Sequence, residues 1–331
     1  MKKKNIFLGM SLLAIAGLWT GCSSDEGGNS GDAISFHVQG GTPELRTTGT
    51  TAASIQAFAV YGTDDLAAGN IFSGVTVARQ TDGSFDYNPK KYYTANATTA
   101  QFAAYSPISP NVSAGTFALN TGLSFSYTVP TPDPTGNASQ EDLLVAGTTV
   151  VPSTASVPLA FEHALSRIFI KATSELNETV TIKRIILRNL YSAGTIAGAP
   201  GTPWSWGWTP SGARTNSYEY VLAASGVAVE ANQATPILVT SMEQGMMILP
   251  QAIVSGSPGN VTAGDFALEI VYDVANITDE STYVYLSNGH TFDMGTQYAI
   301  SVDFTGDVTN LIEITFSITV GTFADDPLTM P

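Results

Sequence analysis

The stretch AISFHV, residues 33–38, alternates apolar and polar side chains along its length. Ile34, Phe36 and Val38 share one face of an extended chain, while Ser35 and His37 lie on the other. A period of two with β-branched and aromatic residues on one face is typical of a half-buried strand. The stretch therefore predicts a β-strand that packs three apolar anchors onto a core.

An unusual linker follows this strand, GGTPELRTT at residues 40–48. It is rich in Gly, Pro and Thr and lacks apolar periodicity, so we expect an exposed loop. Arg46 is the only Lys or Arg between Lys4 and Arg79. An Arg-specific protease could therefore cut this linker at one place. The alternative is that Arg46 is only a solubilising charge in a loop.

The residues before the strand have the organisation of a lipoprotein export signal. Three lysines at residues 2–4 precede a short apolar segment at residues 6–19, and the chain continues with GC. Cys22 is the only cysteine, so it has no disulfide partner within the chain. We predict a signal peptide at residues 1–21 and a lipid on Cys22. The alternative is an unmodified thiol.

The charge balance argues against one class of partner. The chain has 28 acidic and 13 basic residues, and removal of residues 1–21 takes away three lysines, which leaves 28 acidic against 10 basic residues and a net charge of −18. Nucleic-acid binding requires clustered Lys and Arg to neutralise phosphates, so no nucleic-acid partner is expected. A lipid, and not a basic patch, would hold such a protein at a membrane.

The rest of the chain predicts an all-β fold. Charged residues make up only 12% of the sequence, which suits sandwiches better than helices with charged outer faces. Short β-like runs recur between Gly, Pro, Asn and Asp, as in β-sandwiches. The stretch VPLAFEHALSRIFIKA at residues 157–172 restarts this pattern after Pro-rich loops. We therefore predict an N-terminal sandwich domain at residues 47–158 and a C-terminal one at residues 159–331.

The run LIEITFSITV at residues 311–320 alternates perfectly between apolar and polar residues after its first position. Its apolar row consists of Ile312, Ile314, Phe316, Ile318 and Val320. At roughly 1.5–3 kcal/mol each, five such side chains give about 7–15 kcal/mol of gross burial, against three anchors in the first strand. This strand is a candidate donor to another chain's sheet. The alternative is that it belongs to its own C-terminal domain.

The sequence offers little catalytic chemistry. His37, His163 and His290 are far apart and lack the spacing of a metal site. Glu141 and Asp142 are adjacent, so on a strand they would face opposite sides, which does not suit a pair of glycosidase carboxylates. We therefore expect no enzyme, no metal and no other cofactor.

An aromatic run, WSWGW, contains Trp204, Trp206 and Trp208. In an extended chain all three would lie on one side and could stack on sugar rings. The favoured interpretation is that these rings pin a loop to its own domain.

Taken in order, several stretches resemble the Mfa-like fimbrillins, the type V pilins of Bacteroidetes-type bacteria. The resemblance covers nearly the whole chain and rests on the Cys22 region with SSDE, ISFHV followed by the Arg linker and IQAFAVYG, EDLLVAG, VPLAFEHALSRIFIKA, TIKRIILRNLY, MMILPQ, YAISVDF and the alternating terminal strand. It implies two tandem transthyretin-like β-sandwich domains after a lipoprotein signal peptide and a lipidated leader. The acidic SSDE resembles the signal that exports such lipoproteins to the outer face of the outer membrane.

The resemblance also implies a processing step. In that family an Arg-specific protease removes the first strand, and a strand of a partner subunit refills the groove. Here the cut would fall between Arg46 and Thr47 and would remove residues 22–46. The residues themselves support this mechanism, because loss of the strand at 34–38 would expose an apolar groove and unpaired backbone groups.

Two functions are therefore considered. The first is a structural pilin, a shaft or tip subunit that is exported to the outer membrane as a lipoprotein, cut after Arg46 and assembled into a fimbrium. Its partners would be other pilin subunits, an Arg-specific protease and an adhesion receptor. The second is a monomeric cell-surface lipoprotein that binds a glycan or a host protein through its loops.

Limited digestion with an Arg-specific protease is expected to cut first after Arg46, because the flanking residues are of turn-forming types and no other basic residue is near in the sequence. The product should be a body that begins TTGTTAAS, identified by N-terminal sequencing. First cleavage at Arg79 or Arg214, with Arg46 resistant, would mean that the linker is folded and would contradict the prediction.

Overall fold

A computed structural model of the chain describes residues 31–39, 55–130, 140–214, 216–222, 225–240, 245–254, 265–285, 290–307 and 311–322. Cys22, Arg46 and Thr47 lie outside these ranges, so lipidation and cleavage remain predictions. Within the described ranges every regular element is a β-strand, which confirms the predicted all-β fold class. None of these residues forms a helix long and apolar enough to cross a membrane.

The described part of the chain contains twenty-four strands, named here in chain order. They are β1 (Phe36–Val38), β2 (Ala57–Asp64), β3 (Phe72–Arg79), β4 (Phe85–Asp86), β5 (Ala100–Ser106), β6 (Thr116–Ala118), β7 (Gly122–Thr128), β8 (Leu144–Val150), β9 (Val157–Leu159), β10 (Glu162–His163), β11 (Ser166–Ser174), β12 (Val180–Leu190), β13 (Ala193–Ala199), β14 (Ser205–Ser211), β15 (Asn216–Val221), β16 (Val227–Val229), β17 (Ile237–Leu238), β18 (Met246–Ile248), β19 (Gln251–Ala252), β20 (Ala267–Val274), β21 (Ile277–Val284), β22 (Thr291–Phe292), β23 (Thr296–Asp307) and β24 (Leu311–Thr322).

The first large sheet has the strand order β10-β8-β5-β2-β3-β4, and all its pairs are antiparallel. Its central strands β2 and β5 are buried along almost their whole length. One face of this sheet contributes Phe58 and Phe102 to one apolar cluster, while the other contributes Ala59 and Tyr105 to a second cluster. A sheet that is buried on both faces needs a covering layer on each side.

A four-stranded sheet of order β14-β13-β7-β6 covers the face that carries Tyr105. Tyr105 packs on Phe125 of β7 with 4.8 Å between ring centroids. This second sheet joins residues 116–128 to residues 193–211. Its strands thus come from both sides of the boundary proposed between residues 158 and 159, and the division into two sandwich domains at that residue remains a prediction.

Two further sheets enclose the core of the C-terminal half. One has the order β17-β11-β23-β24, with β18 also paired to β11, and the other has the order β15-β12-β20-β21, with β16 also paired to β12. Tyr272 of β20 meets Phe304 of β23 edge-on, with 5.3 Å between centroids. The two sheets therefore face each other across a shared core, and β24 lies at the edge of one of them.

The remaining face of the first sheet carries Phe58 and Phe102. Its apolar cluster includes residues of β1 and β9, which together form a two-stranded sheet, and also Ile55, Tyr87 and Phe161. A short strand from the N-terminal end of the described chain thus closes one of the protein's two cores.

Candidate functional site: a groove filled by residues 34–38

Strand β1 lies in a groove beside β9 and pairs with it in parallel, so that Phe36 is opposite Val157. The N–H of Val157 donates to the carbonyl of Ser35 at 2.7 Å, and the N–H of Gln39 donates to the carbonyl of Leu159 at 2.9 Å. Among the described strands, β9 is the only one that pairs with β1. The backbone of the groove therefore offers a template for one strand.

Phe36 is the central anchor of this strand and is only 4% exposed. Its ring centroid lies 5.3 Å from Phe72, 5.5 Å from Phe102, 6.1 Å from Tyr87 and 6.2 Å from Phe58. Three of the four contacts are edge-to-face, the arrangement favoured by aromatic quadrupoles. We call these four rings the aromatic box.

Ile34 is the second buried anchor, with 3% exposure. Its N–H donates to the carbonyl of Lys91 at 2.9 Å, and its carbonyl accepts from the hydroxyl of Tyr87 at 2.6 Å. Burial raises the pKa of Tyr87, so its hydroxyl stays protonated and remains a donor at neutral pH. One ring of the aromatic box thus also holds the backbone of the strand.

Val38, the third predicted anchor, is half-buried. An open cavity of about 540 Å³ runs beside β1 and is lined by Phe36, Val38 and Phe85 together with nearby polar residues. The three-residue strand therefore leaves part of the groove unfilled.

The structure brings the three predicted anchors together on one apolar cluster, with Ser35 and His37 exposed on the outer side. Burial of Ile34 and Phe36 contributes about 3–6 kcal/mol at roughly 1.5–3 kcal/mol per side chain. Removal of the strand would expose the aromatic box and free the hydrogen-bonding groups of β9. A buried edge of this kind is a template for another strand.

The candidate donor strand lies in the chain's own C-terminal sheet. β24 pairs with β23 in antiparallel register, from Asp307 opposite Leu311 to Thr296 opposite Thr322. In this single chain the strand thus belongs to its own C-terminal sheet, which is the alternative stated from the sequence. Its role as a donor to another chain remains a prediction.

The described side chains of β24 are largely peripheral. Thr315 and Ser317 are exposed, Val320 is 56% exposed, and Ile318 is half-buried against the core. β24 is the last strand of its sheet, and β23 is its only strand partner among the described residues.

The tryptophan run packs onto its own protein, as favoured from the sequence. Trp204 is 8% exposed, and its ring lies so close to Gly147 that a Cβ there would be 2.3 Å from the indole. Trp206 and Trp208 are half-buried, and the indole N–H of Trp208 donates to the carbonyl of Ala164 at 2.6 Å. The three rings are therefore used in packing and do not form an open platform for sugars.

One of the three histidines contacts the acidic pair, and the other two have different surroundings. His37 is exposed on β1, and His290 packs edge-on against Phe292 with 5.0 Å between centroids. His163 is buried with its Nδ1 2.8 Å from Oδ2 of Asp142. In the described ranges, no group of three or more His, Cys, Asp or Glu is placed to hold a metal ion.

The walls of the groove are not predicted by the sequence pattern. The residues of β9 follow a loop and were not assigned as a partner of β1, and the aromatic box comes from separate elements. The sequence does carry one signal for these walls, because Phe58 lies in the stretch IQAFAVYG. Nothing local shows that the walls converge on Phe36.

A family model described as fimbrillin-like matches residues 46–320 of the chain. A fimbrial protein from Bacteroides vulgatus is similar in structure, with a TM-score of 0.61 and 16% identity over 88% of this chain and 99% of that one. A proposed cell adhesion protein from Bacteroides ovatus has a TM-score of 0.52 and 16% identity over 89% of this chain and 98% of that one. At these identities the likeness concerns the fold. The curated proteins include no match to the chain.

Replacing Phe36 by Ala in the uncut protein is expected to lower its unfolding free energy by about 3–5 kcal/mol, because the aromatic box loses its central ring and a cavity remains. His37→Ala, on the exposed face of the same strand, is the matched control and should change stability by less than about 0.5 kcal/mol. Denaturant unfolding measures both. Equal stability of Phe36→Ala and wild type would mean that the strand does not close the core.

Proposed function

The chain belongs to the fimbrillin-like family, and from this premise we propose that it is a pilin subunit that assembles by strand exchange at the groove filled by residues 34–38. Membership assigns it a role in fimbriae or adhesion at the cell surface, and not an enzymatic role. The observation that carries the finer proposal is the short strand β1, which closes a core through two buried side chains and lies next to the Arg46 linker.

The first step is export. Cys22, the only cysteine, would receive a lipid after removal of residues 1–21, and the lipid would hold the precursor at the outer membrane. The strand at 34–38 then fills the groove as part of the same chain. Because this binding is intramolecular, its effective concentration is high and other strands are excluded.

The second step is cleavage between Arg46 and Thr47. The linker joins Gln39, the last described residue after β1, to Ile55, which is again buried. A cut between these two points separates β1 from the body but leaves the body's own strands in place. The family match begins at Arg46, one residue before Thr47, where the cut body would start. The released leader must then compete as a free peptide.

The third step is replacement of the leader by a strand of another subunit. β24 is suited to this role because it is an edge strand with one partner, so its transfer exchanges one backbone ladder for another. Its five apolar residues outnumber the three of the leader, which favours the donor once the leader is free. Each subunit would give one strand and accept one, a head-to-tail contact that builds an open filament.

The alternative of a monomeric glycan-binding lipoprotein has less support. Its candidate platform was the tryptophan run, and those rings pack against Gly147, Gly198 and the core. The outer membrane and an adhesion receptor remain proposed partners of the pilin.

Cleavage of the purified protein at Arg46 is expected to convert monomers into ladders that survive in unheated gels, because exchanged strands bury backbone and side chains together. Arg46→Gln is the control; it keeps its leader and should stay monomeric under the same protease treatment. Size measured by light scattering gives an independent readout. Wild-type protein that is fully cut at Arg46 yet remains monomeric would contradict the proposed function.

A second experiment tests the donor strand. Ile318→Asp should leave the cut body folded but unable to form ladders, because an unpaired carboxylate is costly in an apolar groove. Ser317→Asp, at an exposed position of the same strand, should still form them. If Ile318→Asp forms ladders like wild type, β24 is not the donor. If its uncut precursor already fails to fold, the strand belongs to its own core.

A further inference from the structure

The strand that fills the groove and the terminal strand share one sequence pattern. Residues 34–38 read ISFHV and residues 314–318 read ITFSI. Both have isoleucine first, a hydroxyl residue second, phenylalanine in the centre, a polar residue fourth and a β-branched aliphatic residue last. The two segments lie at opposite ends of the chain and in different sheets.

The shared pattern matches what the groove recognises. The first, third and fifth positions are held by Ile34, Phe36 and Val38, which are buried, buried and half-buried, while the second and fourth positions face outward. On β24 the matching outward positions, Thr315 and Ser317, are exposed as well. An occupant of this groove therefore needs a polar outer face and an aromatic ring at its centre.

The centre of the groove fixes the register. The aromatic box surrounds Phe36 with four rings, and Phe316 is the only aromatic residue of β24. A slip by one residue would turn the apolar row outward. A slip by two would leave the box with an aliphatic side chain and move the phenylalanine to a site shaped for Ile34 or Val38.

We propose that β24 of a second copy of this chain enters the groove parallel to β9 with Phe316 in the aromatic box, Ile314 in the site of Ile34 and Ile318 in the site of Val38. This inference rests on the proposed strand exchange and specifies its register and direction. The parallel direction keeps the contacts that β1 now makes, since a main-chain N–H then meets the carbonyl of Lys91 and a main-chain carbonyl meets the hydroxyl of Tyr87.

The same register explains why the longer strand displaces the shorter one. Ile312 would stand where the leader has Asp32, and Val320 where it has Gly40. Asp32 is exposed, and an open cavity lies beside Phe36 and Val38. The donor thus repeats the leader's three anchors and adds one apolar residue at each end.

Disulfide trapping tests the register, because the cut body, residues 47–331, contains no native cysteine. His37 and Pro158 are paired across β1 and β9, and paired strand positions are close enough for a disulfide. Pro158→Cys is therefore combined with Ser317→Cys, which takes the place of His37 in the proposed register. The controls combine Pro158→Cys with Thr315→Cys or with Thr319→Cys, two residues away on the same face.

After cleavage and mild oxidation, the Ser317 variant should give disulfide-linked ladders in denaturing non-reducing gels, and the Thr315 and Thr319 variants should lose them. The uncut precursor with His37→Cys, Pro158→Cys and Cys22→Ser should form an internal disulfide. This control shows that a cysteine at position 158 reacts with one at the position of residue 37. If the disulfide forms with the cysteine at position 315 or 319 instead of 317, the proposed register or direction is wrong, but strand exchange itself is supported. Ladders that none of the three pairs can trap would overturn the identity of the donor. Absence of ladders in cut wild type would overturn the proposed function and this inference with it.

Discussion

The N-terminal core depends on the contact between Phe36 and the aromatic box. Strands β2 and β5 are buried on both faces, and the cover of one face includes β1 and β9, together with Phe161 and Tyr93. Within that cover, Phe36 touches rings from three strands of the first sheet and from Tyr87 after β4. Phe36 is therefore the central side chain of this cover.

In the proposed mechanism this arrangement gives the core a removable part. Strand β1 is joined to the body by one parallel pair with β9 and by the contacts of Ile34 with Lys91 and Tyr87. Such a strand is held firmly while it belongs to the same chain and weakly once it is a separate peptide. In the proposed assembly a strand from another subunit completes the core and joins the two subunits, so the apolar burial that stabilises the domain would also stabilise the contact between them.

Part of this could be predicted from the sequence because alternation is a local signal. The period of two in residues 33–38 identified Ile34 and Phe36 as buried anchors, and the same signal identified the strand at 311–320. The walls of the groove could not be predicted in this way. β1 pairs with β9 across most of the first half of the chain, and VPL is too short to show a period.

Other features of the fold could not be predicted from the sequence for the same physical reason. The hairpin of β13 and β14 joins β7 in one sheet, although the chain pattern placed it in the second domain. The buried contact between His163 and Asp142 depends on two segments that meet only in the fold, so neither residue signals its partner. Local periodicity thus predicts which residues are anchors, while strand pairing decides what they anchor to.

We propose that the strand at 34–38 occupies the groove only until another subunit replaces it. Mass spectrometry of filaments purified from the cell surface tests this most directly. We expect subunits that begin at Thr47, with no peptide from residues 31–39 retained in the filament. Filaments in which every subunit still carries the peptide containing Phe36 would contradict it, because the groove would then be filled by its own chain in the assembled state.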